Sequence, residues 1–410
     1  APLQRSGRLL LLEAESESHK LRSGSRSWTP SAALGWAHEH GVPWSATDVL
    51  AGPELRERAR TVGRGASLPR PRVRWVTSDL GRTRSWPLGD DLIRVLRQVA
   101  QRERQALVLV PRRGYSAALG CRDCGAAVMC PNCDLALRWH ARDRRLRCHQ
   151  CGHAVAPPEF CPACGGLDLE AQRAAGSEWV LRALADAIPD LPRVRYDGDV
   201  REPLTDLAAG APGVLVGTSA VLRLPTLPVV SLLAVTQIDG ALHADDFRAD
   251  ERVLRTLLAL QEIAGERAPL GVIQTYAPDH PVLRAVASGD PDRATAAVEG
   301  MEARRRAFGY PPFGRLARIQ LSARREGDAW EAATEIVGRL RTAGADPSDL
   351  LGPAPAPVAR VRGRSLVHLL LRSRDEDGLH RLLSGGIAEG LRAVQVRVDV
   401  DARDIGEVLD

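Results

Sequence analysis

Leu107-Val108-Leu109-Val110-Pro111-Arg112-Arg113-Gly114-Tyr115 is followed by four knuckles, the first opening six residues on: Cys121-Arg122-Asp123-Cys124, Cys130-Pro131-Asn132-Cys133, Cys148-His149-Gln150-Cys151 and Cys161-Pro162-Ala163-Cys164. An unbroken apolar run that stops at a proline and a basic turn reads as a buried strand of a parallel sheet. The knuckles contain all eight cysteines of the chain. Two intervening residues let both thiolates of one knuckle reach one metal, and tetrahedral zinc takes four such ligands at ~2.3 Å. Four knuckles therefore make two closed, structural Zn²⁺ sites. Proline or glycine after Cys124, Cys130 and Cys161 suits the sharp turn each knuckle needs.

The spacing leaves the pairing of knuckles open. Cys130/Cys133 and Cys148/Cys151 are neighbours separated by a strand-like stretch, 135–146, and are expected to share one zinc. Cys121/Cys124 and Cys161/Cys164 would then share the other. Consecutive or interleaved pairing fits the sequence equally. A disulfide framework fits poorly, because no export signal is visible and the cysteines crowd one short window of a long chain. An iron–sulfur cluster would need only four of them.

Arginines crowd the same window: Arg112, Arg113, Arg122, Arg138, Arg142, Arg144, Arg145 and Arg147. Against Asp123, Asp134, Asp143 and Glu159 they leave four positive charges, and eight thiolates with two Zn²⁺ leave four negative ones. Some of these arginines therefore neutralise the metal sites, and others are available to a partner. Arg112, Arg113, Arg142, Arg144, Arg145 and Arg147 are the candidates for phosphate contact. Trp139 either stacks on a base or packs beside the inner zinc. His140, His149 and His153 are read as surface groups or hydrogen-bonding neighbours, since the cysteines already complete both sites.

Working outward, the 410 residues suggest two to four domains. Hydrophobic residues at 44% and charged residues at 26% exclude wholesale disorder. No apolar run approaches the ~18 residues of a membrane span, and 9–12 is too short for the core of a signal peptide. A cytoplasmic location is the resulting expectation. The chain opens on Ala1 and carries only Met129 and Met301, so a processed or partial product is expected. Lys20 is the single lysine, so 55 of the 56 basic residues are arginine. The net charge of +5 permits nucleic-acid binding without requiring it. No glycine shortly precedes Lys20, so these residues contain no G-x-x-x-x-G-K-[ST] phosphate loop.

Residues 1–62 read as an α/β fragment, with a strand at 9–12, a helix at 32–40 and a strand before Ser45-Ala46-Thr47. Residues 63–88, with Pro69, Pro71 and Pro87, read as a linker. Residues 89–292 alternate helices (91–101, 177–188, 250–263) with strands (107–110, 194–196, 214–216, 229–235, 271–275). Alternation of this kind implies a parallel sheet with helices on both faces, and residues 117–167 are inserted into it as the zinc module. Residues 293–410 read as a small α+β domain, with helices at 291–308, 329–342 and 378–391 and strands at 316–321, 365–371 and 394–399. Arg304-Arg305-Arg306 reads as a solvated helix face, with phosphate contact as the alternative.

At this point the chain resembles the primosomal protein N′ (PriA) family of bacterial replication-restart helicases, along nearly its whole length. Arg112-Arg113-Gly114-Tyr115 runs into the cysteine module at the family's spacing. Gly217-Thr218 follows an apolar strand, as in helicase motif V. Asp239-Gly240-Ala241-Leu242 and Asp245-Asp246-Phe247-Arg248-Ala249-Asp250-Glu251-Arg252 resemble the family's D-x-D-x-x-L…DFRA-x-ER segment, with Gln237 where its first Asp would stand. Gln274-Thr275 with His280-Pro281, Pro311-Pro312, Gly352 to Pro357 and Arg360 to Arg364 also fit. The resemblance implies a helicase-like parallel-sheet second lobe with a two-zinc insertion, a remnant of the first lobe at 1–62 and a C-terminal α+β domain. It implies inner and outer knuckle pairs. Its partners would be forked or single-stranded DNA, single-strand binding protein, and primosome and replicative-helicase-loading proteins in the nucleoid.

The departures from the family are specific. The DNA-end-binding domain and the Walker A half of the first lobe are not in this sequence. Glu13-Ala14-Glu15-Ser16 stands at the D-E-x-H box and keeps none of its defined residues, while Ser45-Ala46-Thr47 survives as motif III. Arg223-Leu224 replaces the lysine and glycine of motif V. Gln261 to Ala268 keeps the glutamine of motif VI but breaks its arginine register, leaving Arg267 as the nearest candidate. Phosphoryl transfer depends on positioned charge, and each change removes part of it. The expectation is a restart protein with two Zn²⁺, no bound ATP and no catalytic residues. The alternatives are the C-terminal part of an active ATP-dependent 3′-5′ helicase, or a zinc-ribbon interaction module with no DNA role. Asp239, Asp245, Asp246 and Arg248 are expected to hold loops together.

Overall fold

The computed structural model describes residues 8–12, 14, 29–48, 50–59, 73–83, 87–111, 118–140, 143–171, 175–224, 228–263, 270–387, 394–402 and 405. Its centre is a six-stranded, all-parallel sheet. The strand order is Arg193–Tyr196, Gly213–Gly217, Gln105–Leu109, Leu232–Val235, Leu270–Thr275, Arg74–Asp79. The three strands Gly213–Gly217, Gln105–Leu109 and Leu232–Val235 are buried at every position, as strands covered on both faces must be. Alternation divides them between two cores. Leu107, Leu109, Leu215 and Leu233 pack with Leu254, Leu257 and Leu283 on one face. Ala106, Val108, Val214 and Val216 pack with Leu92, Leu96, Val180 and Leu184 on the other.

The stretch expected to be a linker contributes a strand. Arg74–Asp79 pairs in register with Leu270–Thr275, from Arg74 opposite Leu270 to Asp79 opposite Thr275. The prolines that suggested a linker flank this strand rather than interrupt it. It forms the sheet edge, and Val73 and Trp75 anchor it in the core. Gly271 makes room for that anchor, because a Cβ there would overlap the Trp75 ring.

The C-terminal residues form a four-stranded antiparallel sheet in the order Leu350–Val361, Arg364–Ser373, Arg315–Ala323, Gln395–Val400. One face packs Ala317, Ile319, Leu321 and Val367 against Ala329, Ala333, Ile336 and Leu340 of the helix Glu326–Thr342. Leu316 and Leu370 of the other face join a cluster with Cys130, Cys133, Leu137, Leu146 and Cys148. The cysteine module thus covers the face that its own helices leave open. The strand Leu350–Val361 was missed in the sequence because Pro353, Pro355 and Pro357 remove ladder donors. It is tolerated at the sheet edge, where one side of the strand has no neighbour.

The N-terminal fragment is small. Leu9–Leu11 pairs in parallel with Trp44–Ala46, and Ala14, Leu34 and Leu55 form its core. Ser45 and Ala46 therefore lie inside the strand rather than after it.

Candidate metal centre and nucleic-acid face

The four knuckles share one local geometry. The backbone N–H of Gly125, Asp134, Gly152 and Gly165 donates to the carbonyl of Cys121, Cys130, Cys148 and Cys161 respectively, at 2.9, 3.0, 3.0 and 2.9 Å. Each donor residue sits at positive φ: 75°, 52°, 77° and 75°. Three of the four are glycine, which enters that region without a Cβ penalty, and Asp134 is among the residues that tolerate it best.

These turns gather the sulfurs into two groups, Cys121/Cys124/Cys161/Cys164 and Cys130/Cys133/Cys148/Cys151, with all ligand atoms of a group within 4.8 Å of one another. The pairing is outer with outer and inner with inner. Cys121 and Cys164 lie 3.7 Å apart, Cys124 and Cys161 3.7 Å, and Cys130 and Cys151 3.6 Å. A tetrahedron with Zn–S of ~2.3 Å has edges of about 3.8 Å, whereas a disulfide is ~2.0 Å long. All eight thiols are free. Burial, reinforced by neighbouring sulfurs, pushes Cys124 up to about 12. The sulfurs of Cys130 and Cys148 push Cys133 upward. Four thiolates in one group require a cation to coexist, so the donor set, the spacing and the charge all fit Zn²⁺.

The inner site is fixed to two other parts of the molecule. Tyr310 Oη donates to the Cys133 carbonyl at 3.0 Å and accepts from Gln150 Nε2 at 2.6 Å. His368 Nε2 donates to the His149 carbonyl at 2.8 Å. Arg138, buried, donates from Nε to Asp245 Oδ1 at 2.8 Å and also bonds the His243 carbonyl. His149 Nδ1 lies 3.3 Å from Asp245 Oδ2, and His140 Nε2 lies 3.0 Å from His149 Nε2. The outer site meets the parallel-sheet lobe at Gly125, where a Cβ would overlap Ala277.

The proposed DNA contacts divide. Arg112, Arg113 and Arg142 lie outside the described residues. Arg144, Arg145 and Arg147 are exposed on the hairpin that joins Arg138–His140 to Arg145–Arg147. Arg147 pairs with Asp143, and Arg145 donates to the Ala154 carbonyl at 3.1 Å. Trp139 is half-buried and packs on the cluster that contains Cys130, Cys133 and Cys148. Arg122 pairs with Glu170 at 3.0 Å, so it serves the outer knuckles.

The segment that resembles the family's D-x-D-x-x-L…DFRA-x-ER run is internally satisfied. Asp239 accepts from Thr275 Oγ1 at 2.8 Å and from the Tyr276 N–H at 3.1 Å, and burial pushes its carboxyl up to about 6. Gln237 accepts from the Ala175 N–H at 2.6 Å and donates to the Pro87 carbonyl at 3.0 Å. Asp246 accepts from the N–H groups of Arg248 and Ile405, at 2.8 and 3.0 Å. Arg248 and Arg305 both bond Glu54 of the N-terminal fragment, and Arg305 also bonds Glu251 at 2.5 Å. Burial alone would lower the Arg305 guanidinium, but Glu54 and Glu251 hold it above its ordinary value.

The solvated face expected at 304–306 holds for Arg304 and Arg306, which are exposed, and is corrected for Arg305, which is buried. Arg305 is 2% exposed, Arg304 pairs with Asp250, and Arg306 stacks 3.9 Å above the Phe313 ring. Consecutive helical residues point about 100° apart, so a run of three cannot share one face. Arg267 and the rest of 264–269 lie outside the described residues, as do Glu13, Glu15, Ser16 and Lys20. Tyr310, Gln150 and His368, which fix the inner knuckles, were not singled out in the sequence. Pro311-Pro312, quoted above, adjoins Tyr310 but points to neither Gln150 nor His368.

A profile of the PriA DNA helicase Cys-rich region (CRR) domain matches residues 130–155, and one of the Primosomal protein N C-terminal domain matches residues 306–403. The chain is 40% identical over 421 residues to a "Probable replication restart protein PriA" of Deinococcus radiodurans, across 98% of this chain and 44% of that protein. It is 29% identical over 391 residues to the replication restart protein PriA of Treponema pallidum, across 91% of this chain and 58% of that protein. It is 28% identical over 403 residues to that of Bacillus subtilis, across 93% and 49%. The chain spans about half the length of the curated relatives it matches. Among the described residues no helix is long and apolar enough to cross a membrane. Residues 130–155 and 306–403 thus carry the Cys-rich and C-terminal domains of the PriA family, and the chain is similar to replication restart protein PriA along nearly its whole length.

Proposed function

We propose that this chain serves replication restart as a scaffold. It binds forked or single-stranded DNA and holds primosome partners, single-strand binding protein among them, so that the replicative helicase is reloaded. It does this in the nucleoid and without hydrolysing ATP. The observation that carries the reading is the fate of the charges between the N-terminal fragment and the parallel-sheet lobe. Arg248, Arg305, Glu251 and Glu54 neutralise one another in a buried network, where a motor would keep arginines free for a phosphate. The broken arginine register at Gln261 to Ala268 supports it. Two Zn²⁺ would keep the knuckles rigid, and Arg144, Arg145 and Arg147 would then present a basic hairpin to phosphates, with Arg142 beside it in sequence and Arg112 and Arg113 ahead of the first knuckle. Trp139 serves this hairpin by packing.

The test is anisotropy of labelled forked DNA against linear duplex of equal length, over a salt series, with ATP turnover followed in parallel. The expected result is preference for the fork, affinity falling steeply with salt, and no DNA-stimulated hydrolysis. Absence of binding to either DNA would overturn the DNA part of the reading. A second reading, that this is the C-terminal part of an active 3′-5′ DNA helicase, is favoured by its covering about half of its relatives. Hydrolysis stimulated by forked DNA would decide for it.

A further inference from the structure

The far end of the C-terminal sheet carries a second basic surface. The strands Leu350–Val361 and Arg364–Ser373 are joined through Arg362 and Gly363, at φ 48° and 76°, with Val361 opposite Arg364. Two consecutive positive φ values define the tight turn whose twist matches that of paired strands, so this end of the sheet is a stiff, preformed arm. In the next strand Ala323 lies opposite Ser365, which places Arg324 and Arg325 at the same end. Neighbouring strands are ~4.8 Å apart, so Arg324, Arg360 and Arg364 start within about 10 Å of one another.

The charges here are available. Arg324, Arg325, Arg360 and Arg362 are exposed, and among the described residues none of them forms an ion pair. Arg364 is used internally, donating to Ser322 Oγ and to the Ser322 carbonyl, both at 2.6 Å, and so braces the arm. The helix Glu326–Thr342 begins at this end with Arg325 at its cap and no side chain accepting from its first turn. Its unsatisfied N–H groups add to the positive potential. Glu326 and Asp328 oppose it in part, and five arginines outnumber them. The stretches 358–366 and 323–327 contain no aromatic residue, so the surface lacks the stacking platform that single strands use.

We propose that this arm grips the backbone phosphates of a duplex segment, separately from the cysteine hairpin. The proposal rests on the DNA-binding reading above and deepens it. A fork offers two or more duplex or single-stranded arms, and two basic hairpins on different parts of one chain would hold two of them.

The test compares wild type with the double variant Arg360→Gln/Arg362→Asn, using labelled linear duplex over a salt series. Asn before Gly363 keeps the positive-φ turn, so the arm stays folded while losing two charges. Each phosphate contact contributes about 0.9 to the salt slope. The expected result is a slope shallower by about 2 and affinity roughly tenfold weaker at low salt, with zinc content and melting temperature unchanged. A wild type that binds DNA and a variant with an unchanged slope would overturn this inference and leave the DNA-binding reading standing. A variant that keeps its duplex affinity but loses binding to labelled polyglutamate would assign the arm to an acidic protein instead, and would also overturn it. A wild type that binds no DNA overturns both readings together.

Discussion

At the scale of single residues, the strongest dependence is that of a sulfur on its ion. Replacing Cys130 with Ser removes one of four ligands from the inner group. Structural zinc contributes ~10 kcal/mol or more to such modules, so the inner knuckles are expected to lose their ion and unfold while the outer group keeps its own. Atomic emission should then read one zinc per chain where wild type reads two. The buried carboxylate of Glu54 is a second such point. Glu54→Gln leaves Arg248 and Arg305 buried with part of their compensation gone. Breaking a buried pair from one side costs about 3–5 kcal/mol, which urea denaturation of the two proteins would measure. Asp239 gives a pH signature. Its folded carboxyl lies at about 6, above its unfolded value, so its contribution is fully present below the unfolded value and is lost as pH rises through 6. Asp239→Asn should flatten the fall in stability between about pH 4 and pH 6, as read by thermal melts across that range.

At the scale of elements, the knuckles act as docking wedges as well as metal turns. Gly125 has φ of 75° and presses on Ala277 of the parallel-sheet lobe. Gly125→Ala should lift the outer knuckles off the lobe at a cost of about 1–3 kcal/mol, since a tight contact and a left-handed backbone are both violated. A melting temperature unchanged from wild type would show that the contact is slack. The same elements show how far local signals reach. The helices 91–101 and 250–263 and the strands 214–216 and 271–275 were legible because their apolar periodicity is strong. The knuckle pairing was legible only as a preference, since spacing does not say which turns meet in space. The strand Leu350–Val361 was hidden by its prolines, and Arg74–Asp79 by the prolines around it. In both cases position at a sheet edge decided the outcome, and an edge is a property of the assembled sheet.

At the scale of the whole molecule, the inner zinc group stands at a junction. Leu316, Leu351 and Leu370 of the C-terminal sheet share a core with Cys130, Cys133 and Cys148, and Tyr310 bonds the Cys133 carbonyl. Arg138 and Asp245 tie the same module to the parallel-sheet lobe. Loss of the inner ion should therefore free the C-terminal region, whereas loss of the outer ion should not. Limited proteolysis would show it: cleavage near residue 310 should rise in Cys130→Ser and stay near the wild-type rate in Cys124→Ser. Equal rates in both variants would mean that the C-terminal sheet is held by contacts independent of the inner knuckles.

By itself the sequence determined the fold class, the identity of the eight ligands and the absence of a phosphate loop from these residues. Each of these follows from residue type and spacing along the chain: period-2 and period-3.6 apolar patterns, two-residue gaps between thiols, and a lysine without its glycines. Only the tertiary structure decided which arginines are spent and which are available. Arg138, Arg248 and Arg305 are buried against Asp245, Glu54 and Glu251, partners more than 50 residues away. Arg144, Arg145, Arg360 and Arg362 remain at the surface. The physical reason is that a guanidinium keeps its charge in either setting. Its use is set by the carboxylates that folding brings to it, and these lie far off along the chain.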